Sequence, residues 1–343
     1  MKVCVNCFSD KELKGFISSS TEIGDCEVCE SKNQSLLDVS ELFDFFQELL
    51  DNYKVFDNGM PLASKIQSHW SFFSSHAVAN KILNDVLPNL QTEITSSNIN
   101  VEYTDDIIEN YNHWEVLKEE LKWKNRFVID IKRLTEEEFG WDEFFNTQFK
   151  LGKDVELFRA RLHHQSGMEA YQPNDMYCPE KENASGGRAN PSGIPFLYLS
   201  DNAETVLYEV RASYLDELSV GTFKLKTKLD SIKLVDFTED TSLFQSNSGS
   251  INKTIKGKLL RQKISNDLSK PMRRYDSELE YIPTQFICEF IKVFTGALGI
   301  RFNSSLHPKG NNIVLFDQNL MNCVLVKKVK INSVNLQGLE IKH

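Results

Sequence analysis

The sequence has no apolar run that approaches the ~18 residues needed to cross a membrane as a helix. Its first ten residues, MKVCVNCFSD, lack the apolar core of a secretory signal. Basic residues are in the minority, because 39 Lys and Arg face 49 Asp and Glu, and the net charge is −10. Such a surface would repel a nucleic-acid duplex. These absences argue against membrane spans, secretion and general nucleic-acid binding, and they predict a cytoplasmic protein.

Glycine-rich phosphate motifs are also missing, since neither a P-loop nor a Rossmann fingerprint is present. What the first thirty residues do contain is two Cys-x-x-Cys pairs, formed by Cys4 with Cys7 and Cys26 with Cys29. Four thiolates in two tight turns suit a tetrahedral zinc ion, with Zn–S bonds of ~2.3 Å. The pattern predicts a structural Cys4 zinc module over residues 1–34, with no open position for catalysis.

Residues 35–150 show helical periodicity, which predicts an all-α domain. An apolar stripe that begins at Leu36 and ends at Leu50 predicts the first helix. Further helices are predicted over residues 65–90 and 105–124. No histidine here has a ligand or catalytic partner at a useful spacing, so no chemistry is assigned to this domain.

Residues 151–343 have a different texture, with short apolar runs that indicate strands alternating with brief helices. The pattern predicts an α+β domain. The strand-like runs cover residues 157–160, 196–199, 232–236, 313–316 and 323–326.

The segment Gly186 to Ser200 contains the densest set of chemically useful residues. Two glycines precede Arg188, a turn follows, and a strand then carries Tyr198. Ser200 or Asp201 is expected to cap the next helix, which carries Glu209. A guanidinium suits phosphate, an aromatic face suits a planar cationic ring, and a carboxylate suits a positively charged sugar-like transition state. The same residues could instead be structural, with Arg188 and Glu209 as an ion pair and Tyr198 in the core.

The spacing of these residues resembles the RES family, which is named for its arginine, glutamate and serine. Ten positions separate Arg188 from Tyr198, and eleven separate Tyr198 from Glu209. Three further blocks, in the same order as in the family, resemble its opening strand, the element before a family helix and its serine-bearing segment: Phe158–Arg161, Tyr281–Gln285 and Gly299–Ser305.

The resemblance implies a fold like that of ADP-ribosyltransferases and an activity that consumes NAD. Arg188 and Arg159 would hold the phosphates, Tyr198 would stack beside nicotinamide, and Glu209 would support cleavage. The family serine would be Ser304 or Ser305. The N-terminal extension resembles a helical module of the higher-eukaryote-and-prokaryote nucleotide-binding (HEPN) type.

Three functions are consistent with these features. The first is a toxin that cleaves the nicotinamide–ribose bond of NAD, as a glycohydrolase or phosphorylase, in a toxin–antitoxin or defence system. The second is an ADP-ribosyltransferase that modifies a macromolecule, and the third is a non-enzymatic zinc-bearing binding module. Members of the family commonly pair with an antitoxin, although the N-terminal half could restrain the toxin instead, and the sequence leaves a homo-oligomer open.

Overall fold

The computed structural model describes residues 1–137, 139–239, 241–244, 251–271 and 278–335. The helices in chain order are α1 Lys11–Ser18, α2 Phe43–Leu50, α3 Leu62–Trp70, α4 His76–Val86, α5 Asp105–Trp123, α6 Trp141–Phe144, α7 Thr205–Glu209, α8 Ile251–Ser269 and α9 Ile282–Phe294. The strands are β1 Lys2–Cys4, β2 Ile23–Gly24, β3 Gln34–Asp38, β4 Tyr53–Pro61, β5 Asn100–Tyr103, β6 Gln148–Gly152, β7 Leu157–Leu162, β8 Leu197–Ser200, β9 Glu217–Leu225, β10 Ser231–Asp236, β11 Gly299–Asn303, β12 Asn311–Leu315 and β13 Met321–Lys330. Among the described residues, no helix combines the length and the apolar character of a membrane span.

The chain divides into two compact units. The first comprises Met1–His113 and Asp240–Leu260, and the second comprises Trp114–Glu239 and Arg261–His343. These units differ from the predicted domains 1–34, 35–150 and 151–343, of which residues 336–343 lie outside the described part. A cut after residue 34 would divide β3, which pairs with β1, and a cut after residue 150 would divide β6, which pairs with β10. Paired strands therefore extend across both predicted boundaries.

The first unit has a mixed architecture in which helices pack around a core rich in phenylalanine. Phe8, Phe46, Phe72 and Phe73 are fully buried and contact one another edge-on or tilted. The segment predicted to be all-α contains the hairpin β4–β5, which corrects that prediction.

Two helix predictions in this unit also need correction. Leu36 lies opposite Cys4 in a strand pair, and helix begins only after a 3-10 turn over Val39–Leu42. The helix predicted over residues 65–90 is divided at Ser71, whose backbone is left-handed with φ 47°. The Ser75 hydroxyl then accepts a hydrogen bond from Val78 N and starts α4.

Residues 240–260 complete the first unit. Leu243, Ile251, Ile255 and Leu259 are buried in its core. The Asp10 carboxylate accepts a hydrogen bond from Leu243 N at 2.7 Å, so a side chain near the start of the sequence caps backbone far along it.

The second unit is built on an eight-stranded sheet with the order β13-β9-β7-β8-β12-β11-β10-β6. Neighbouring strands are antiparallel except for β10 and β11. Strands occur at all five places where the sequence predicts them, and the unit has the α+β character expected. In the middle of the sheet, β8 is paired with β7 and β12, so three strands distant in sequence bring their side chains together.

Candidate active site

The turn before β8 positions Arg188. Gly187 N donates to Asn190 O at 2.8 Å and closes the turn. The Tyr198 hydroxyl donates to Asn190 Oδ1 at 2.8 Å and accepts from Ala189 N at 3.0 Å. The phenol therefore holds the turn to the strand. Burial raises the pKa of Tyr198, so the group stays protonated and able to donate.

The first turn of α9 holds the same loop from the other side. Thr284 Oγ1 donates to the carbonyl of Arg188 at 2.6 Å. Gln285 Nε2 donates to the carbonyls of Gly187 and Asn190 at 2.8 and 3.1 Å. The Tyr281–Gln285 block thus acts as a clamp on the arginine-bearing turn, a role that its sequence did not indicate.

Gly187 has no room for a side chain, because a Cβ there would lie 2.7 Å from Tyr198 Oη and 2.9 Å from Asn190 Oδ1. We expect Gly187→Ala to lower the free energy of unfolding by about 1–3 kcal/mol, since the turn must shift. The same shift should lower kcat/KM for the substrate. Urea unfolding and steady-state kinetics would measure both effects. Gly152→Ala is the matched control, because a Cβ at Gly152 meets open space. A Gly187→Ala protein as stable and active as the wild type would contradict this packing.

Arg159 and Arg188 present two guanidinium groups to one cavity. Burial lowers the pKa of both. Arg188 Nη1 donates to Leu268 O at 3.0 Å, whereas Arg159 Nη1 is buried without a hydrogen-bond acceptor among the described residues. A buried charged donor without an acceptor is costly.

Glu209 occupies the last turn of α7 and is exposed toward the same cavity. Its Oε1 accepts hydrogen bonds from Ser304 Oγ at 2.7 Å and from Asn312 Nδ2 at 2.8 Å. These two donors hold the carboxylate in place, and its other oxygen accepts neither of these hydrogen bonds. Glu209 forms no ion pair with Arg188 among the described residues.

Ser304 and Ser305 have different surroundings. Ser304 is 5% exposed, and its hydroxyl also accepts from Leu306 N and His307 N at 3.3 and 3.2 Å. Ser305 is exposed and lines the cavity. The geometry therefore separates a buried serine that holds Glu209 from an exposed serine at the cavity wall.

His307 connects the serine loop to α7, a role that the sequence analysis did not predict. Its Nδ1 lies 2.8 Å from Thr205 Oγ1, and its ring stacks on Tyr208 with centroids 5.0 Å apart. The Ser200/Asp201 cap expected for this helix is absent, because α7 begins at Thr205 and Ser200 Oγ donates instead to Asn311 O.

These groups meet around one cavity of about 420 Å³. Five of the six residues predicted to form the site line it: Arg159, Arg188, Tyr198, Glu209 and Ser305. Ser304 lies behind them, against Glu209. Sequence reasoning missed Asn312 and Arg211, which also line the cavity. A volume of this size falls in the range of small-molecule sites.

The four N-terminal cysteines form a separate cluster in the first unit. All four Sγ atoms lie within 4.8 Å of one another, and the Cys4–Cys29 and Cys7–Cys26 pairs are 3.4 Å apart. Burial raises the pKa of the Cys4 thiol to about 12 and raises that of Cys7 further. Since a metal ligand must be a thiolate, a cation would have to offset this burial. The cluster has the donor set of a metal site.

Comparison with known proteins bears on the second unit. A family model described as the RES domain matches residues 156–336, just over half of the chain. Among solved structures, the chain is similar to one chain of the crystal structure of the M. tuberculosis MbcT-MbcA toxin-antitoxin complex. The identity is 12%, the match covers 56% of this chain and 92% of that chain, and the TM-score is 0.30, too low to establish a shared fold. The comparison with curated proteins gave no match.

Proposed function

Because this chain belongs to the RES domain family, we propose that it is an NAD-consuming toxin that cleaves the nicotinamide–ribose bond. The observation that carries the proposal is the shared cavity. Two guanidinium groups, an aromatic ring and a carboxylate line one space, from Arg159, Arg188, Tyr198 and Glu209. The alternative interpretation, an Arg188–Glu209 ion pair and a purely structural Tyr198, is less consistent with this arrangement.

The two arginines would bind the diphosphate of NAD. The guanidinium fork matches phosphate oxygens with two parallel hydrogen bonds. Both arginines line the cavity, so a diphosphate bound there would lie beside two positive charges. Hydrogen bonds hold both the backbone carbonyl and the guanidinium of Arg188. Its remaining N–H groups are therefore already oriented before a phosphate binds.

Tyr198 would contribute its ring, because its hydroxyl is already engaged by the turn. A positively charged nicotinamide ring placed against the aromatic face gains a cation–π attraction, which is lost when the ring leaves as neutral nicotinamide. We therefore assign Tyr198 two tasks: it orients the leaving group, and it fastens the arginine turn.

Glu209 would stabilise the ribose as positive charge develops at the anomeric carbon. Cleavage of this kind of bond passes through an oxocarbenium-like transition state, and nicotinamide needs no general acid to leave. A fixed charged or dipolar group at such a site contributes roughly 3–4 kcal/mol. Ser304 and Asn312 would act as positioning residues, since both donate to the same oxygen of Glu209. The other oxygen could orient the acceptor, whether water or inorganic phosphate.

Product analysis tests the activity. The purified full-length protein is mixed with NAD, with and without inorganic phosphate, and the products are separated by chromatography. We expect nicotinamide, together with free ADP-ribose for hydrolysis or phosphorylated ADP-ribose for phosphorolysis. Labelled protein or nucleic acid after incubation with labelled NAD would support the transferase alternative. Unchanged NAD after incubation with the folded protein would contradict the proposal and favour a binding module.

Zinc is the ion we propose for the Cys4 cluster, formed by Cys4, Cys7, Cys26 and Cys29. Zn–S bonds of ~2.3 Å in a tetrahedron place sulfurs about 3.8 Å apart. The Sγ separations of 3.4 Å, within an overall limit of 4.8 Å, fit that geometry. Four thiolates fill a tetrahedral site, so the ion would be structural.

The wider setting rests on the family resemblance. We propose an ADP-ribosyltransferase-like fold for the RES part, a HEPN-like character for the preceding helices, and a cytoplasmic location. An antitoxin is the expected partner, and restraint by the first unit is the alternative.

A further inference from the structure

Arg211 faces the cavity from the chain segment that follows α7. The charged side chains among the described lining residues are three arginines, Arg159, Arg188 and Arg211, and one carboxylate, Glu209. Their formal charge is therefore +2, in a chain whose net charge is −10. Burial lowers the pKa of Arg188, Glu209 raises it, and the positive charge of Arg211 lowers it to a smaller extent. Positive charge therefore predominates among the described lining residues, which suits an anionic ligand.

The backbone at Arg211 is held in a conformation that normally belongs to glycine. Arg211 has φ 53°, in the left-handed region. Ala212 N donates to Leu207 O at 3.1 Å, and Arg211 N donates to Tyr208 O at 2.9 Å. This is the pair of hydrogen bonds that defines a Schellman C-cap, in which Arg211 occupies the position where glycine is strongly preferred. An arginine there costs stability that glycine would not cost.

Strained residues at functional sites persist when the side chain has a task that the relaxed residue could not perform. Glycine would satisfy the cap at Arg211 but would leave the cavity without its third guanidinium. The arginine lies two residues after Glu209, so the cap that ends α7 also determines where this guanidinium stands relative to the carboxylate.

We propose that Arg211 is a third phosphate-binding arginine of the cavity, placed by its left-handed backbone to neutralise the diphosphate of the substrate. This inference rests on the proposed function for the identity of the substrate. Arg159, Arg188 and Arg211 would place three guanidinium groups around the two negative charges of a dinucleotide diphosphate. Arg211 is thus a substrate-binding residue, and it strengthens the preference of the site for NAD over nicotinamide riboside, which has no phosphate.

The test separates backbone strain from charge. In full-length zinc-loaded protein, Arg211→Gly removes both the backbone strain and the positive charge. Arg211→Lys keeps the positive charge but lacks the planar guanidinium group. We expect Arg211→Gly to raise Tm by about 2 °C. Its Kd for ADP, the diphosphate probe, should rise about 10- to 100-fold by titration calorimetry, as expected for loss of hydrogen bonds to a charged group. Arg211→Lys should give an intermediate Kd, and the Kd for nicotinamide should not change in either variant.

Leu215→Gly is the matched control. Leu215 also has a left-handed backbone, with φ 71°, but its side chain is exposed and outside the cavity lining. It should raise Tm without changing the Kd for ADP. An Arg211→Gly protein that binds ADP within twofold of the wild type would overturn the inference, as would a wild-type protein that does not bind ADP. If ADP binding depends on Arg211 but the wild type leaves NAD intact, the anion site stands and the proposed cleavage activity fails.

Discussion

Glu209→Gln is expected to reduce NAD consumption by about 10²- to 10³-fold while leaving the fold intact. Glutamine keeps an oxygen that can accept the hydrogen bonds of Ser304 and Asn312, so the side chain should stay in place. What the substitution removes is the negative charge that would face the ribose in the transition state. Nicotinamide release under saturating NAD measures the rate, and circular dichroism with a thermal melt measures the fold.

Glu289→Gln provides the control for removal of a carboxylate. Glu289 is exposed on α9 and is not among the cavity-lining residues, so its substitution should leave the rate unchanged. A folded Glu209→Gln protein that turns over NAD at the wild-type rate would end the assignment of Glu209 as the catalytic carboxylate. A Kd for ADP close to that of the wild type would show that the loss lies in the chemical step and not in diphosphate binding.

Loss of the proposed zinc ion is expected to lower the stability of the first unit by a large amount. Structural Zn²⁺ in small cysteine sites binds with roughly 10–16 kcal/mol, which exceeds or matches the net stability of a typical domain. Cys7 and Cys26 are buried within the core of the first unit, so their ligand bonds and their packing are coupled. We expect Cys26→Ser, or treatment with a strong chelator, to release the ion and to unfold the first unit at temperatures where the wild type is folded.

Metal content measured by mass spectrometry and a melt followed by circular dichroism would test this expectation. Cys323→Ser is the control, because Cys323 lies on β13 in the second unit and is no part of the cluster. That variant should keep one zinc ion per chain and the wild-type Tm. A Cys26→Ser protein without zinc but with an unchanged melt would refute a structural role for the ion.

The sequence predicted the elements of the second unit better than those of the first. Its strands are short apolar runs between turns, and that local signal survives in the fold. In the first unit, Leu36 matches a helical stripe but lies in a strand, where it pairs with Cys4 of β1. Pairing partners distant in sequence leave no mark on local periodicity. The same reason explains the hairpin β4–β5, since its strands pair residues more than 35 positions apart in the sequence, such as Tyr53 with Tyr103.

The central site residues were predictable because one short segment carries them. Arg188, Tyr198 and Glu209 follow each other on a turn, a strand and a helix, and a family spacing connects them. Asn312 could not be found in this way, because it reaches Glu209 only through the pairing of β12 with β8. The choice between Ser304 and Ser305 also depended on which hydroxyl turns inward, and no sequence rule decides that. The left-handed backbone of Arg211 could not be predicted from the sequence, because such a helix cap is recognised by a glycine and an arginine occupies the position here.

The N-terminal unit is finished by a stretch of chain that lies inside the family-matched segment. Residues 240–260 supply core side chains, and Leu243 N donates a hydrogen bond to Asp10. A fragment that stops at His113 would therefore expose apolar surface that this later segment covers. The first unit and the RES-matched segment are therefore interleaved along the sequence, and no continuous fragment contains the complete first unit without part of that segment.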